Sequence, residues 1–236
     1  MCLQVEQSGS GVGAATLVPT RHVLQFGLSM QNETKVKASP DGRHLRSERS
    51  RSVIAKAMLE LVRETGQMPT TDSVADRAGV SRRSVFRHYA DVSELLSAAY
   101  ELQREDAFTR YPPRDPSQWS ESERVQAFTE RGTALYEYVS SVRRAAVHMS
   151  RDYPVLNDLM RDDDTLHRSL IAKLFDSSFD KLNATDRITF LNTMVAASSW
   201  SAWEAMRHEQ GLDVEAARDV IRTTFNSVLA YAKTKA

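Results

Sequence analysis

The sequence predicts an all-α fold, because three features of its patterning favour helices over strands. From about residue 46 onward, apolar residues recur at intervals of three and four, as on the buried face of a helix. These periodic segments are separated by Gly66, Gly79, Gly211 and a proline-rich stretch at 111–118. No stretch alternates apolar and polar residues as a half-buried strand does. We therefore expect a few short helices near the N-terminus, followed by a larger helical domain.

Length and composition narrow the class of protein. The chain has 236 residues, which suits one or two domains, and 41% are apolar, enough for a sizeable core. No run approaches the roughly 18 apolar residues that a membrane span requires, and the start lacks the basic opening and apolar core of a signal peptide. The one cysteine, Cys2, provides neither a disulfide framework nor a metal-site spacing. We expect a cytoplasmic protein without membrane contact.

Residues 1–42 have the composition of an extension rather than of a folded element. They cluster Gly, Ser, Thr and Gln without a sustained apolar period, so we expect them to be disordered. Met30 lies close ahead of the periodic region and is a second candidate for the native start.

The first helix is expected over about 46–64. Val53, Ile54, Ala57, Met58, Leu61 and Val62 form a clean apolar stripe, and Gly66 ends the helix. Arg46, Arg49 and Arg51 crowd its start, where cations oppose the helix dipole. Neutralisation of a polyanion would compensate for that cost.

Residues 71–89, TDSVADRAGVSRRSVFRHY, predict two short helices joined by a tight turn. Thr70 or Thr71 can cap the first helix, and Gly79 stands where a left-handed residue would end it. Ser81 can cap the second helix. The inward-facing residues are expected to be Val74, Ala75, Ala78, Val80, Val85 and Phe86, with Tyr89 close to the same face.

The outer face of the second short helix carries Arg82, Arg83, Ser84, Arg87 and His88. Residues 43–90 hold ten Lys/Arg against five Asp/Glu, a net charge of +5, and residues 91–236 carry the opposing −5. A short helix with three outward arginines suits the major groove of DNA. The alternative is an ordinary helical hairpin with a solvated charged face.

The segment GVSRRSVFRHYADVSELL resembles the helix-turn-helix of the TetR (tetracycline-repressor) family of transcription regulators. The resemblance begins near Arg46 and covers about the first third of the folded chain; the remainder is similar only in length and helical pattern. The family usually has proline at position 90 and lysine at 92, where this chain has Ala90 and Val92. The phosphate contact that this lysine commonly makes is therefore not expected here.

The later helices follow from caps and apolar periods. Asp91 and Glu94 form a capping pattern for the helix after the motif, and Ser120 with Glu123 forms a capping box. The prolines of 111–118 divide a DNA-binding domain, 43–108, from a C-terminal domain, 119–236. The further helices are expected over about 120–139, 141–149, 162–175, 186–208 and 213–231.

The helix expected over 186–208 has two apolar sectors, more than one small domain needs. One holds Ile188, Leu191, Val195, Ala202 and Met206, and the other Ala196, Trp200 and Trp203. The family resemblance implies a homodimer held by the last two helices, and an intramolecular core is the alternative. The expected interface residues are Ala202, Met206, Val220, Thr224 and Val228.

No catalytic set stands out in the C-terminal domain, so an enzyme is not expected. Nucleotide-binding, hydrolase and zinc-protease motifs are absent from the sequence, and no metal or cofactor is predicted. Asp163 and His167 share a helix face, but acidic residues at a helix start are explained by the dipole. An apolar ligand pocket could be lined by Tyr136, Met149, Leu170, Met194, Trp200 and Trp203, although these residues would equally serve as core.

The sequence thus predicts a ligand-responsive regulator, most often a repressor in this family, that binds a near-palindromic operator as a homodimer. Arg82 and Arg83 are expected at base edges, and Arg87 and His88 at bases or phosphates. A small hydrophobic or amphipathic molecule would release the DNA; the alternative is a protein of this fold that senses no ligand. The phosphate-holding and positioning set comprises Arg46, Arg49, Thr70, Ser81, Ser84 and Tyr89, and Lys35, Lys37 and Arg43 leave open a basic N-terminal arm.

Overall fold

The computed structural model describes residues 42–235, with side chains from His44 onward. The predictions for the extension and the basic arm lie outside these residues, apart from Gly42, where the first helix begins, and the backbone of Arg43. Across the described residues all regular structure is helical, which confirms the all-α prediction. The helices are α1 (Gly42–Thr65), α2 (Thr71–Ala78), α3 (Arg82–His88), α4 (Val92–Arg110), α5 (Glu121–Met149), α6 (Val155–Leu174), α7 (Ala184–Ala197), α8 (Trp200–Glu204, continued by a π-helical turn Ala205–Glu209) and α9 (Val214–Lys235).

The first core is formed by α1 to α4 and is closed by α5 and α6. Ile54 and Met58 of α1 are fully buried against Val74 of α2 and Val85 of α3. Met149, at the end of α5, belongs to the same core. The N-terminal helices therefore share one core with α5 and α6 of the C-terminal domain. Helix α4 packs against both α1 and these two helices.

The second core lies among α5, α6, α7, α8 and α9. Phe175, Trp203 and Phe225 have no exposed surface, and the rings of Phe175 and Phe225 meet edge to face with centroids 5.6 Å apart. No helix in residues 42–235 is long and apolar enough to cross a membrane.

Several helix boundaries differ from those predicted. The helices expected over 120–139 and 141–149 are one continuous helix, α5, because no residue within it breaks the backbone ladder. The segment before it, 111–120, is not helical, as its prolines predict. Helix α6 begins at Val155 rather than near 162, directly after Pro154, which is well suited to a helix start.

The helix predicted over 186–208 is interrupted at Ser198 and Ser199. The Ser198 hydroxyl donates to the Met194 carbonyl at 2.7 Å, and the Ser199 hydroxyl accepts from the Ala202 amide at 3.1 Å and caps α8. These side chains satisfy backbone groups locally and so compete with a continuous helix. The interruption separates α7 from the tryptophans of α8.

Candidate nucleic-acid interface and ligand cavity

The α2–α3 unit has the caps and the turn that its sequence predicts. The Thr70 hydroxyl accepts from the Ser73 amide at 3.1 Å, and the Ser81 hydroxyl accepts from the Ser84 amide at 3.2 Å. Gly79 adopts a φ of 65°, the left-handed conformation that glycine adopts with least strain. This geometry fixes the angle between the two helices and so the direction in which α3 presents its outer face.

Three arginines project from α3 into solvent: Arg82, Arg83 and Arg87. Arg82 lies 3.4 Å from the carboxylate of Asp72, and both side chains remain largely exposed. Arg83 makes no hydrogen bond or ion pair within the described part of the chain. Arg83 is therefore the arginine of this face whose guanidinium is most available to bind another molecule.

Phe86 was expected to face inward, but its side chain is 44% exposed. Val85 and Tyr89 already fill the inward side of this two-turn helix, so Phe86 lies on the flank, with the Arg82 guanidinium 5.9 Å from its ring centre. The prediction for Phe86 was wrong because a seven-residue helix has room for only a narrow buried stripe.

Ser84 and His88 are half-buried rather than fully outward. Burial, helped by the nearby guanidinium groups of Arg87 and Arg51, lowers the pKa of His88 from its ordinary value of 6.5. The imidazole is therefore neutral at neutral pH and can donate or accept a hydrogen bond, but it adds no positive charge to the face.

Tyr89 is placed differently from the expectation that it would hold a phosphate. Its ring is 2% exposed, and its hydroxyl donates to the Arg51 carbonyl at 2.8 Å. The Arg51 guanidinium lies 4.2 Å from the ring centre of Tyr89, donates to the His88 carbonyl and pairs with Glu94 at 2.6 Å. We call Arg51, Tyr89 and Glu94 the α1–α3–α4 clamp, because they tie the end of α3 to α1 and α4.

Arg46 and Arg49 are exposed near the start of α1, and Thr70 is exposed at the start of α2. All three precede the α2–α3 unit in sequence, and α1 packs against both α2 and α3. Helix α1 thus exposes basic side chains near the α2–α3 unit, while its inner face packs in the first core.

A cavity of about 110 Å³ lies between α4, α5 and α6. Of the six residues predicted for a pocket, Tyr136 and Leu170 line this cavity. Met149 belongs to the first core, and Met194 and Trp203 are fully buried in the second core. Trp200 borders an open surface groove, and its indole donates to Ser140 at 3.0 Å. The packing between helices determines where these four residues lie, and the periodicity of the sequence does not predict that packing.

One side of the cavity is a network of buried charges around Asp163. The Tyr100 hydroxyl donates to Asp163 at 2.7 Å, Arg104 lies 2.9 Å from the same carboxylate, and Arg143 lies 3.7 Å from it. Burial raises the pKa of Asp163, while the Tyr100 hydrogen bond and the two guanidinium groups act in the opposite direction. The Asp163 carboxylate is therefore paired with three side chains of the protein itself.

His167 also has a partner that explains it. Its Nε2 lies 3.0 Å from the Ser198 hydroxyl, and burial lowers the pKa of His167 to about 4. Within residues 44–235, no group of three or more His, Cys, Asp or Glu side chains could hold a metal ion.

The residues predicted for a dimer interface are not equally available. Val220 is 45% exposed, whereas Met206 is buried in the second core. Ala202, Thr224 and Val228 are half-buried. The outer sides of α7 and α9 expose two further large apolar residues, Ile188 at 55% and Tyr231 at 54%.

Sequence reasoning missed the polar residues that line the cavity, above all Gln103, Arg131 and Arg143. A signal for Gln103 exists: it continues the buried stripe of α4 that includes Leu96 and Ala99. A polar residue at a stripe position is unusual unless it has a buried partner. Arg131 and Arg143 carry no comparable signal, because helical charges are usually solvated.

Known proteins match this chain by structure and not by sequence: no family model and no curated protein matches it. A transcriptional regulator from Rhodococcus sp. RHA1 is similar at a TM-score of 0.60 and 16% identity, over 77% of this chain and 97% of its own. A TetR-like transcriptional regulator from the same strain has a TM-score of 0.53 at 17% identity, over 77% and 96%. A Mesorhizobium loti protein described as a candidate TetR-family regulator has 0.55 at 16%, over 79% and 98%. The fold is therefore the one that the family resemblance implies.

Proposed function

We propose that this protein is a DNA-binding transcription regulator that acts in the cytoplasm as a homodimer on a near-palindromic operator. The observation that carries the proposal is the outer face of α3, where Arg82, Arg83 and Arg87 stand exposed on a helix whose other side is locked into the first core. Three solved structures with the same fold are described as transcriptional regulators.

In this proposal α3 enters the major groove and reads bases. Arg83 is the principal reader, because it has no partner in the described residues and an arginine fork matches guanine O6 and N7. Arg82 can join it once it leaves Asp72. Arg87 lies one turn further along, where it reaches a base or a phosphate.

Phosphate contacts then set the position of α3 in the groove. Arg46 and Arg49 of α1 and the hydroxyls of Thr70, Ser81 and Ser84 are the proposed groups. Tyr89 is omitted, because its buried hydroxyl already serves the clamp. These contacts are independent of sequence and make affinity fall with salt.

The proposed dimer brings two copies of α3 into successive major grooves, about 34 Å apart. Exposed apolar residues on α7 and α9, including Ile188, Val220 and Tyr231, support a partner surface there. The two-fold symmetry of such a dimer is the reason that the operator should read nearly the same on both strands.

The proposed regulation acts through α4. This helix lines the cavity at its C-terminal half and carries Glu94 of the clamp at its start. A small molecule that moves α4 would therefore alter the placement of α3. Moving the protein from 1:99 to 99:1 between DNA-binding and released states requires about 5.5 kcal/mol of differential ligand affinity. If the molecule lowers affinity for the operator, the regulator is a repressor released by its ligand.

Selection of bound sequences from a random DNA pool tests the proposal. The expected result is an enriched near-palindrome whose half-sites are centred one helical turn, or a multiple of it, apart. Failure to enrich any sequence at low salt would contradict a DNA-binding role. Enrichment with no effect of any small molecule would favour the alternative, a regulator of this fold that senses no ligand.

A further inference from the structure

We infer that the cavity between α4, α5 and α6 binds a small monocarboxylate with a compact apolar body, held by Arg131 and Gln103. This inference rests on the proposed ligand-responsive function and adds to it the chemical class of the ligand. It follows from Gln103 Nε2 and Arg131 Nη2, two buried donors of lining residues that have no hydrogen-bond partner in the described residues, and from the apolar side chains that line the rest of the cavity.

Gln103 is the first of these donors. Its side chain is 3% exposed, and its Oε1 accepts from Arg63 Nε at 3.0 Å and from Arg63 Nη2 at 2.6 Å. Those two bonds fix which end of the amide turns away from Arg63. The Nε2 end is buried and has no hydrogen-bond partner in the described residues. Buried amide groups are rarely left unpaired, because the lost hydration is costly.

Arg131 is the second donor and brings a charge. Its Nε donates to the Tyr111 carbonyl at 2.9 Å, while its Nη2 is buried and has no partner in residues 44–235. Burial lowers the pKa of Arg131, yet a guanidinium remains charged in proteins. A buried cation of this kind is stabilised by an anion at hydrogen-bond distance.

The other two arginines of the cavity also have a buried Nε without a hydrogen-bond partner, but their charges are balanced by carboxylates. Arg104 and Arg143 share the carboxylate of Asp163, and Arg143 also pairs with Asp164. Among the lining residues that the structure describes, Arg131 is thus the cation without a carboxylate partner. One unpaired cation favours one negative charge on the ligand, and Asp163 disfavours a second.

The rest of the lining sets the body of the ligand. The apolar side chains around the cavity are those of Phe108, Phe128, Leu135, Val139, Leu166 and Leu170. The volume of about 110 Å³ can be compared with an engineered cavity of about 150 Å³ that holds benzene. The ligand is therefore small, an aromatic acid with one ring or an aliphatic acid with a short chain.

A carboxylate fits these features better than the neighbouring chemical classes. One of its oxygens can accept from Arg131 Nη2 and the other from the Gln103 amide, since Arg131 Nε is already used by the Tyr111 carbonyl. A phosphate ester would bring up to two charges against one free cation. A neutral hydrocarbon would leave both donors unpaired and would gain only from the apolar lining.

The position of Gln103 also connects the ligand to the proposed DNA-binding part. Arg63, which holds Gln103, belongs to α1 and also donates to Tyr138 of α5 at 3.0 Å. A carboxylate on Gln103 would therefore act on a side chain that joins α1, α4 and α5.

Calorimetric titration of the full chain with matched probes tests the inference. The acids are benzoate and hexanoate, and the uncharged counterparts are benzamide and hexanamide. The acids should bind at least about tenfold more tightly, the effect of one charge-assisted hydrogen bond of roughly 1.5 kcal/mol. This comparison uses the unaltered protein and does not depend on the folding of a variant.

Two variants locate the binding site. Arg131→Gln should weaken benzoate by at least about tenfold and leave benzamide unchanged, and Gln103→Glu should oppose benzoate by placing a carboxylate at the donor. Arg151→Gln removes an exposed arginine outside the cavity and should change nothing. Circular dichroism confirms that each variant is folded.

The inference would be overturned if amides bound as tightly as acids, if no acid bound at millimolar concentration, or if a folded Arg131→Gln bound benzoate normally. Binding to the selected operator without any probe is measured in parallel. Operator binding without acid binding would reject this inference and leave the proposed DNA-binding role intact. Acid binding without operator binding would reject the DNA-binding role and leave the ligand class supported.

Discussion

At the scale of single residues, the arginines of α1 and α3 have different surroundings that their sequence positions do not distinguish. Arg83 is exposed and without a partner in the described chain, Arg82 is shared with Asp72, and Arg51 is used by the clamp. The sequence predicts that this region is basic. It cannot predict which cation is paired, because the partner of Arg51 is 43 residues away.

The pairing of Arg82 with Asp72 leads to the first prediction. Asp72→Asn should tighten binding to the operator by about two- to fivefold, since an exposed ion pair is weak and its loss frees Arg82. The change also removes a negative charge near the proposed phosphates. Fluorescence anisotropy with labelled operator measures the effect, and Asp158→Asn, in an exposed ion pair of α6, is the control. Unchanged or weaker binding would argue that Arg82 does not reach DNA.

The second prediction concerns His167 and pH. Because its pKa is about 4 in the folded protein and ordinarily 6.5, the unfolded chain binds the extra proton between these values. The contribution of His167 to stability is therefore complete above pH 6.5 and is lost as pH falls towards 4, by on the order of 2 to 3 kcal/mol. Urea unfolding of His167→Gln should show a flatter decline over this range than the unaltered protein. Parallel declines would show that His167 is not the responsible group.

At the scale of elements, the clamp decides how firmly α3 is held. Glu94 accepts from the Ala90 amide at 2.7 Å and pairs with Arg51 at 2.6 Å, and the Arg51 hydrogen bond lowers the pKa of Glu94. The clamp thus joins the start of α4 to the end of α3. In the proposed regulation, it is the connection through which a shift of α4 would reach α3.

The third prediction follows from the clamp. Glu94→Ala should lower the free energy of unfolding by about 1 kcal/mol, because the pair is partly solvated. It should also weaken all DNA sequences to a similar degree without changing base preference. Chemical unfolding and anisotropy on the operator and on variant operators measure both effects. A change in preference at one base position would instead assign Glu94 a direct role in readout.

Sequence patterns predicted those elements whose cause is local. The caps at Thr70, Ser81 and Ser120 depend on one hydroxyl and on amides three residues later. The interruption at Ser198 was missed because the apolar period continues across it. In addition to the local hydrogen bonds of the Ser198 and Ser199 hydroxyls, a distant group contributes, since the Tyr136 hydroxyl donates to the Ser198 carbonyl at 2.7 Å.

The residues predicted for a ligand pocket also divide into those that line the cavity and those that do not. Tyr136 and Leu170 were predicted to line a pocket, and they line this cavity because their helices face each other there. Met149, Met194, Trp200 and Trp203 are also large apolar residues but lie in other places. Their positions depend on how whole helices pack against each other. The apolar periodicity of a single sequence does not predict that packing.

At the scale of the whole molecule, the fold combines an arginine-bearing helix, a cavity and a partly apolar outer surface. The first core is shared by the N-terminal helices with α5 and α6, so the two predicted domains are not mechanically separate. The division into two domains, 43–108 and 119–236, stays a prediction. Assembly into a dimer is the further step that the proposed operator symmetry requires.

The fourth prediction tests that assembly. Val220→Glu should convert a dimer into a monomer and reduce operator affinity strongly, because a buried charge opposes the apolar contact and one α3 alone loses half of the site. Val147→Glu is the matched control, since Val147 is similarly exposed on α5. Sedimentation velocity measures the oligomeric state. An unaltered protein that sediments as a monomer would contradict the proposed dimer.

The central claim is that α3 reads DNA, and affinity of Arg83→Ala for the selected operator tests it most directly. The control, Arg114→Ala, removes an equal charge beyond the far end of α4, about 28 Å along that helix from its start. We expect Arg83→Ala to lose about 1 to 3 kcal/mol and to relax preference at one base position in each half-site, while Arg114→Ala changes neither. Equal affinity and unchanged base preference for Arg83→Ala and the unaltered protein would contradict the account.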